Sequence, residues 1–469
     1  MDLEGKKVLL VGLGILGGGT ATANFLMKEG ATLTITDLKK ENEVSSSLKK
    51  LKGSPKLVLG EHREEDFLEN DIIVLGPGVS YKNHYVSLAR ENGKQIENDY
   101  TLFASYFKLK NPESYYIGIT GTRGKTTIVH WVHHFISQSV IGGNIPEKGL
   151  LDIVSQKTNL FVLELSSFNL EFTAQNTTPP HIAAITNIFR DHLDRYKTIE
   201  EYMDTKSNIF ENQTSGDFLI LNKDNGYTDY FVNKKPKSDL YFISTSKLDS
   251  NLNGIFFDND EIIFQKEGNI VKIYKLKNFM PLHKKSNLLF ALLISYFHIN
   301  SWDEILPRIE LLPEISFRQE VIYKDRDLAI INDSASTIPE ATIAALDSFK
   351  DQGKSIVLIT GGTDKNLEFP LLANKISHCI KKEKLFLLKG SATNKLIDEL
   401  VKIGYLEDVE SVKQYLSVDE IVSDIQNFSD KEYVILFSPG ATSFERFKNE
   451  FDRGNTFNEV IDKYYSKKK

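Results

Sequence analysis

A glycine-rich segment carries the clearest chemical signal in the chain. Residues 118–127 read Gly-Ile-Thr-Gly-Thr-Arg-Gly-Lys-Thr-Thr, between a β-prone run and a helix-compatible stretch over 128–136. A strand, a glycine turn and a helix start place backbone amides against phosphate oxygens. We expect Lys125 to contact the β and γ phosphates and the Thr126 hydroxyl to bind Mg²⁺. Ile119 stands where the GxxxxGK[ST] pattern has its first glycine. The segment nevertheless predicts an enzyme that uses ATP.

Two further side chains indicate a metal site near this loop. Glu164 closes an apolar run at 160–165, and the carboxyl ends of strands line the binding crevice in open α/β sheets. His192 lies in an Asp-His-Leu-Asp cluster that follows another apolar run. Since Mg²⁺ prefers oxygen ligands, we expect Glu164 to bind it together with Thr126. The alternatives are a solvated strand end for Glu164 and a hydrogen-bonded structural role for His192.

A second glycine motif, near the N-terminus, has two interpretations. Gly12, Gly14 and Gly17 form GxGxxG after an apolar strand, and Asp37 ends the next strand. This pattern is typical of dinucleotide binding, which favours a nicotinamide-dependent dehydrogenase. The same turn can cradle any pyrophosphate, however, and a dehydrogenase would leave the loop at 118–127 without a role. We therefore favour a pyrophosphate-bearing substrate in one domain and ATP in the next.

Strand and helix patterns alternate along the whole chain. Breaks at Asn111-Pro112 and Leu312-Pro313 divide it. We predict an α/β protein of three consecutive domains: Rossmann-like over 1–108, P-loop ATPase-like over 109–313 and Rossmann-like over 314–469. The predicted strands include 7–12, 31–37, 71–76, 161–165, 183–186, 328–332, 355–360, 384–388 and 433–437, with a helix over 339–349.

Composition excludes several classes of function. The 469 residues are 41% hydrophobic and 26% charged, and the net charge of −7 gives no electrostatic case for a nucleic-acid partner. The single cysteine, Cys379, excludes an internal disulfide and suits a reducing compartment. The apolar run at 287–298 is too short to span a bilayer and predicts a buried helix. With a strand pattern directly at the N-terminus, we expect a cytoplasmic monomer without a signal peptide or membrane insertion.

Beyond these motifs, the chain resembles the Mur ligases in blocks that occur in the family's order over essentially its whole length. The segment at 163–168 resembles the members that add D-glutamate, with Asn169 where glutamine is more usual. Ala335 also departs from the family pattern, and Lys284 stands where an asparagine is common. The remaining matching blocks are 142–145, 186–187, 191–195, 202–209, 332–342, 361–369, 438–444 and 453–454.

The resemblance implies ATP-dependent formation of an amide bond between D-glutamate and UDP-N-acetylmuramoyl-L-alanine through an acyl phosphate. Lys125, Glu164, His192 and Lys206 would be the catalytic residues. ATP would be bound by Gly121, Thr122, Gly124, Lys125, Thr126, Thr127, Asn287, Arg318 and Asp333. The UDP substrate would be bound by Gly14, Ile15, Leu16, Asp37, Pro77, Gly78, Asn144 and Ser166. D-Glutamate would be bound by Thr337, Lys365, Ser443 and Phe444.

Lys206 shows what the resemblance adds. From the residues alone we expect a solvated lysine on a helix. The resemblance implies instead a lysine carbamoylated by CO₂, which would bind a second Mg²⁺ with His192, while Thr126 and Glu164 hold the first. The remaining alternatives are another Mur-type or folylpolyglutamate-type ligase with a different acceptor, and the nicotinamide-dependent dehydrogenase.

Overall fold

The computed structural model describes residues 2–15, 17–145, 148–173, 177–192, 195–277, 280–350, 354–409, 412–426 and 433–465. The described strands form three sheets flanked by helices, which confirms the predicted α/β class. The chain divides into two compact units, Met1–Phe189 with Thr198–Leu312, and Arg190–Lys197 with Pro313–Lys469. Because the first unit contains two of the sheets, the bounds of the three domains stay a prediction.

The first sheet is parallel throughout. Its strands are β1 (Lys7–Val11), β2 (Thr32–Asp37), β3 (Lys56–Leu59), β4 (Ile72–Leu75) and β5 (Gln95–Asn98). The order β3-β2-β1-β4-β5 makes β1 and β4 neighbours whose connections leave in opposite directions. A ligand crevice forms at the carboxyl ends of two such strands. The helices are α1 (Gly18–Lys28), α2 (Glu41–Leu48), α3 (Glu64–Glu69), α4 (His84–Glu91) and α5 (Asp99–Lys110).

The second sheet has nine strands and carries the phosphate loop. They are β6 (Tyr115–Thr120), β7 (Val140–Gly143), β8 (Leu160–Glu164), β9 (Ile182–Ile185), β10 (Phe218–Asn222), β11 (Asp239–Ser244), β12 (Gly254–Asp258), β13 (Glu261–Lys266) and β14 (Asn269–Lys275). The order is β14-β13-β12-β11-β10-β9-β6-β8-β7, parallel except for the β12-β13-β14 meander. The helices are α6 (Lys125–Phe135), α7 (Leu150–Ile153), α8 (Ser167–Leu170), α9 (Ile199–Ser207), α10 (Thr228–Asn233), α11 (Leu282–Ile299) and α12 (Trp302–Ile305), followed by a 3₁₀ turn at Leu306–Leu311.

The third sheet has six strands and belongs to the second unit. They are β15 (Glu320–Lys324), β16 (Leu328–Asn332), β17 (Ser355–Thr360), β18 (Leu385–Leu388), β19 (Gln414–Tyr415) and β20 (Tyr433–Phe437). The order is β15-β16-β20-β17-β18-β19, and only β15 runs antiparallel to its neighbour. The helices are α13 (Pro339–Phe349), α14 (Pro370–Cys379), α15 (Ser391–Lys402), α16 (Val418–Ile425) and α17 (Glu450–Tyr465), with a 3₁₀ turn at Lys382–Lys384.

Apolar runs that are buried on both faces explain why many strands were predictable. The predicted strands at 328–332, 355–360 and 433–437 match β16, β17 and β20 at both ends. Helix α6 begins earlier than the predicted 128, because Gly124 adopts a left-handed φ of 88° and Lys125 opens the helix directly. The predicted buried helix is confirmed as part of α11, whose residues 288–294 are fully buried. In the described part of the chain, no helix is both long and apolar enough to cross a membrane.

Candidate active site

The phosphate loop joins β6 to α6 and needs its glycines. Gly121 has a φ of 135°, and a Cβ there would lie 2.0 Å from the Thr186 hydroxyl oxygen. A Cβ on Gly124 would lie 2.4 Å from Oδ1 of Asn287, so Asn287, a predicted ATP-binding residue, packs directly on the loop. No side chain larger than hydrogen fits at either position. The loop backbone is therefore held close to its neighbours.

The first turn of α6 carries the predicted phosphate-binding side chains. Lys125 folds back over the loop, where its Nζ donates to the carbonyl oxygens of Gly121 at 3.0 Å and Thr122 at 3.1 Å. The Thr122 amide donates to the Asn187 carbonyl at 2.9 Å, which ties the loop to the end of β9. Thr127 is buried behind this turn. The ammonium group thus lies over the loop that is expected to hold the phosphates.

A hydroxyl and a carboxylate meet beside this turn, as the sequence predicted. Oγ1 of Thr126 donates to Oε2 of Glu164 at 2.7 Å, and Nδ2 of Asn144 lies 3.2 Å from Oε1. Glu164 is buried at the end of β8, which pairs directly with β6. Among the described residues, no three His, Cys, Asp or Glu side chains gather into a metal-binding cluster. The pair fits a Mg²⁺ ion that takes its other ligands from phosphates and water.

Lys206 is not the solvated lysine that its sequence context suggested. It lies on the buried face of α9 with only 1% of its surface exposed, because α9 packs this face toward the phosphate loop. Its Nζ donates to the Gly121 carbonyl at 3.0 Å and to the Thr120 hydroxyl at 3.3 Å, and lies 4.7 Å from the centre of the Tyr202 ring. A lysine side chain is almost never buried so completely unless polar partners hold it.

The crevice of the first sheet holds most of the predicted UDP-substrate residues. The Asp37 carboxylate accepts hydrogen bonds from the backbone amides of Gly14 at 3.0 Å and Lys39 at 2.9 Å, so it also fixes the glycine turn. Ile15 is 52% exposed at this turn. Pro77 and Gly78 are exposed after β4, the strand next to β1. Leu16 lies outside the described residues.

Ser166 and Asn144 lie between this crevice and the Thr126–Glu164 pair, the candidate Mg²⁺ site. The Asn144 amide donates to the Glu164 carbonyl at 2.9 Å, which places the loop after β7 against the end of β8. Ser166 caps α8, where its hydroxyl accepts from the Asn169 amide at 3.2 Å. Asn144 is exposed and Ser166 is half-buried, and hence both are reachable by a ligand.

In the second unit, Asp333 is buried at the end of β16. Its carboxylate accepts from the Gln319 amide at 3.1 Å, from the Ser438 hydroxyl at 2.8 Å and from the Ser336 hydroxyl. Burial raises the pKa of Asp333 to about 6, against the effect of these hydrogen bonds and the Arg318 charge. Arg318 is half-buried on the connection before β15. Asp333 therefore holds together the segments that carry Gln319, Ser336 and Ser438, a role that sequence reasoning did not assign to it.

The predicted D-glutamate residues differ in their surroundings. Lys365 pairs with Asp191 at 2.6 Å in a largely buried ion pair. The Ser443 hydroxyl is buried and has no hydrogen-bond partner among the described residues, which leaves it available to a ligand. Phe444 is 61% exposed rather than packed, and Thr337 is half-buried before α13. Ser443 does not cap the helix that follows it in the chain, because α17 begins only at Glu450.

His192 has a left-handed backbone with a φ of 55°, and its amide donates to the Asp191 carboxylate at 2.9 Å. The same carboxylate binds Lys365, so Asp191 links two predicted site residues within the second unit. Residues 193 and 194 of this block lie outside the described residues. Its segment, Arg190–Lys197, is grouped with the second unit, whereas Lys206 belongs to the first.

Arg453 is a structural residue of this site to which sequence reasoning gave no role. Its fully buried guanidinium donates to the Ser334 hydroxyl and carbonyl, at 3.1 and 2.8 Å, and to the carbonyls of Ala441 and Thr442. Burial lowers the pKa of Arg453 to about 9. These contacts join the loop after β16 to the loop that carries Ser443. The available signal was the adjacent Gly454, where a Cβ would lie 2.3 Å from the Phe317 ring.

Comparisons with known proteins cover the whole chain. Residues 119–295 match the model of the Mur ligase middle domain, and residues 6–98 match that of the Mur ligase MurD-like N-terminal domain. The UDP-N-acetylmuramoylalanine–D-glutamate ligase of Roseiflexus sp. (strain RS-1) is 34% identical over 99% of this chain and 100% of its own. The ligase of the same name from Borreliella burgdorferi (strain ZS7) is 35% identical over 98% of both chains.

Solved structures share the fold at low sequence identity. The UDP-N-acetylmuramate-alanine ligase of Thermotoga maritima aligns with a TM-score of 0.59 at 18% identity, over 99% of this chain and 100% of its own. The MurF ligase of Thermotoga maritima, solved in complex with ADP, aligns with a TM-score of 0.56 at 16% identity, over 100% of this chain and 97% of its own. Since the phosphate loop, the oxygen pair beside it and the full-length relatives agree, the chain belongs to the Mur ligase family, among its UDP-N-acetylmuramoylalanine–D-glutamate ligases.

Proposed function

We propose that this protein joins D-glutamate to UDP-N-acetylmuramoyl-L-alanine by an amide bond, with ATP as the energy source, in the synthesis of peptidoglycan precursors. The observation that carries the proposal is the 2.7 Å contact between Thr126 and Glu164 at the mouth of the phosphate loop. It brings two oxygen ligands to the position where Mg²⁺ binds nucleotide phosphates. A dehydrogenase would have no use for this pair or for Lys125.

The first step activates a carboxylate. The alanyl carboxylate oxygen of the UDP substrate attacks the γ phosphorus of ATP, and the bond from this phosphorus to the β–γ bridging oxygen breaks. The products are ADP and an acyl phosphate. The loop amides and the Lys125 ammonium hold the transferring group, since catalysis of phosphoryl transfer is mostly positioning and charge stabilisation. A Mg²⁺ ion bound at Thr126 and Glu164 would neutralise phosphate charge.

The second step forms the amide. The amine of D-glutamate attacks the activated carbonyl carbon, a proton leaves the nitrogen, and inorganic phosphate departs. D-Glutamate carries two carboxylates, so its site needs cationic and hydroxyl donors. The second unit offers the Lys365 ammonium and the Ser443 hydroxyl, which is buried and without a partner among the described residues. Thr337 and Phe444 complete the proposed D-glutamate site.

The finer part of the proposal concerns Lys206. Once its ammonium group has lost a proton, the neutral lysine amine can add CO₂, which forms an N–C bond, releases a second proton and leaves an anion in place of the original cation. The Lys206 amine lies 3.0 Å from a carbonyl of the phosphate loop, so a carbamate there would place negative charge beside the ATP phosphates. With His192 it would supply ligands for a second Mg²⁺, and two cations would balance the charge of the transferring group.

The proposed setting follows from the substrates. ATP and a UDP-linked sugar are cytoplasmic metabolites, so we place the reaction in the cytoplasm and expect a monomer to carry it out. No step of this chemistry calls for a nucleic acid or for membrane insertion.

Phosphate release tests the proposal directly. The enzyme is supplied with ATP, Mg²⁺ and UDP-N-acetylmuramoyl-L-alanine, and the amino acid is varied. We expect release with D-glutamate and none with L-glutamate, L-lysine or diaminopimelate. Release with another amino acid would keep the ligase mechanism and change the acceptor. The absence of release with every acceptor would overturn the proposal.

A further inference from the structure

Four polar side chains join the end of the first sheet to the turn after β8. Asn98 and Asp99 lie where β5 ends and α5 begins, and Ser166 and Asn169 lie where α8 begins. Asn98 and Asn169 are buried, at 7% and 6% exposure. Buried amides are normally fully hydrogen-bonded, so the partners of each define its role.

Asn169 uses both ends of its amide and its backbone. Its Oδ1 accepts from the Ser166 amide at 2.8 Å and from the Ser166 hydroxyl at 2.6 Å. Its Nδ2 donates to the Asp99 carboxylate at 2.9 Å, and its carbonyl accepts from Nδ2 of Asn98 at 2.8 Å. Because the carboxylate of Asp99 accepts the hydrogen bond from Nδ2, the oxygen of the amide must face Ser166.

This arrangement decides what Ser166 can do for a ligand. A serine hydroxyl has one proton and two lone pairs. The hydroxyl proton is donated to Oδ1 of Asn169, and one lone pair accepts from the backbone N–H of Asn169. The other lone pair is therefore left for a ligand. Ser166 is half-buried, and its partner Asn169 lines a cavity together with Pro77, Asp99 and Phe168. The network therefore borders the crevice in which the UDP substrate is expected.

We propose that Asn169 is a positioning residue for the UDP substrate. Anchored by Asp99, it takes the Ser166 proton, so that the Ser166 oxygen accepts a hydrogen bond from an N–H or O–H group of the substrate. The inference rests on the proposed function for the identity of that ligand. It adds that Ser166 is an acceptor and that its orientation is set from the first sheet.

The test exchanges the two partners. In Asn169→Asp, the carboxylate still accepts from Ser166 but cannot donate to Asp99, and two buried acceptors face each other. We expect the Kd for UDP-N-acetylmuramoyl-L-alanine to rise about tenfold or more, the effect of leaving a buried charged group without its donor. In Asn169→Asp combined with Asp99→Asn, the new amide donates to the new carboxylate, and the Kd should return to within about twofold of the wild-type value.

Isothermal titration calorimetry with the UDP substrate and, separately, with MgATP gives both affinities for each variant. The Kd for MgATP should change less than about twofold. A general loss of structure would weaken the binding of both ligands, whereas local misplacement of Ser166 would weaken only the binding of the UDP substrate. If Asn169→Asp does not fold, Asn169→Ala replaces it and should show the same selective loss. An unchanged affinity for the UDP substrate, or a double variant that folds without recovery, would overturn the inference. A wild-type enzyme that does not bind the UDP substrate would instead overturn the proposed function.

Discussion

Replacing Thr126 by valine should disrupt the Thr126–Glu164 pair, the candidate Mg²⁺ site, while preserving the shape of the side chain at position 126. Valine keeps the volume and the β-branch of threonine but removes the hydroxyl that donates to Glu164 at 2.7 Å. A hydrogen bond to an ionised partner contributes about 1.5–3 kcal/mol, which corresponds to about a 10- to 150-fold effect. The same hydroxyl is the proposed Mg²⁺ ligand. We therefore expect the Mg²⁺ concentration for half-maximal phosphate release to rise by about that factor.

The assay titrates Mg²⁺ at saturating ATP, UDP substrate and D-glutamate. Thr126→Ser is the matched control, because it keeps the hydroxyl and removes only a methyl group, and it should stay within about threefold of the wild-type enzyme. Thermal unfolding without ligands checks that each variant is folded at the assay temperature. The reasoning is refuted if the valine variant shows the wild-type Mg²⁺ dependence, or if the serine variant is impaired as strongly as the valine variant.

The remaining predictions concern three lysine and aspartate side chains. Lys125→Ala should abolish ATP-dependent phosphate release without unfolding the protein, and unchanged turnover would remove the assignment of the phosphate loop. Lys206→Ala should lose activity that high bicarbonate does not restore and that a short-chain carboxylate partly rescues, whereas full activity without additive would refute the carbamate. Burial raises the pKa of Asp333 from 3.8 to about 6, so the folded state binds this proton more tightly than the unfolded state. Its contribution to stability is therefore greatest below pH 4 and falls by about 3 kcal/mol as the pH rises through 6. Asp333→Asn should lack this fall when the free energies of unfolding of the two proteins are compared between pH 4 and pH 7, and equal pH dependences would contradict it.

The residues at the phosphate loop were predictable because strand order and local pattern agree there. The apolar run that became β6 leads directly into the phosphate loop, and the one that became β8 ends at Glu164. Parallel neighbours bring their carboxyl ends to one edge, so the approach of Glu164 to Thr126 follows from strand adjacency alone. The β12-β13-β14 meander was missed, although its turns carry signals in the sequence, Asn259 with a φ of 56° and Gly268 with a φ of 79°.

The roles of buried polar residues could not be predicted in the same way. Helix α9 reads Ile-Glu-Glu-Tyr-Met-Asp-Thr-Lys-Ser, a mostly polar sequence that is typical of a solvated helix. Whether Lys206 faces water or the phosphate loop depends on what packs against α9, and the sequence does not encode that locally. Arg453 poses the same problem, because its partners lie on two different loops. Ser334 is 119 residues away from it in the sequence, whereas Ala441 is only 12 residues away. Such residues become interpretable only when the tertiary contacts are known.

The end of β8 joins the two halves of the proposed reaction. Glu164 contacts Thr126 at the phosphate loop, while Ser166, next but one along the chain, is hydrogen-bonded to Asn169, which lines the cavity at the end of the first sheet. Transfer of the γ-phosphoryl group requires the alanyl carboxylate to come within about 3–3.5 Å of phosphorus. We therefore expect the attacking and transferring groups to meet at this strand end, where Asn144 contacts Glu164 and Asn169 holds Ser166.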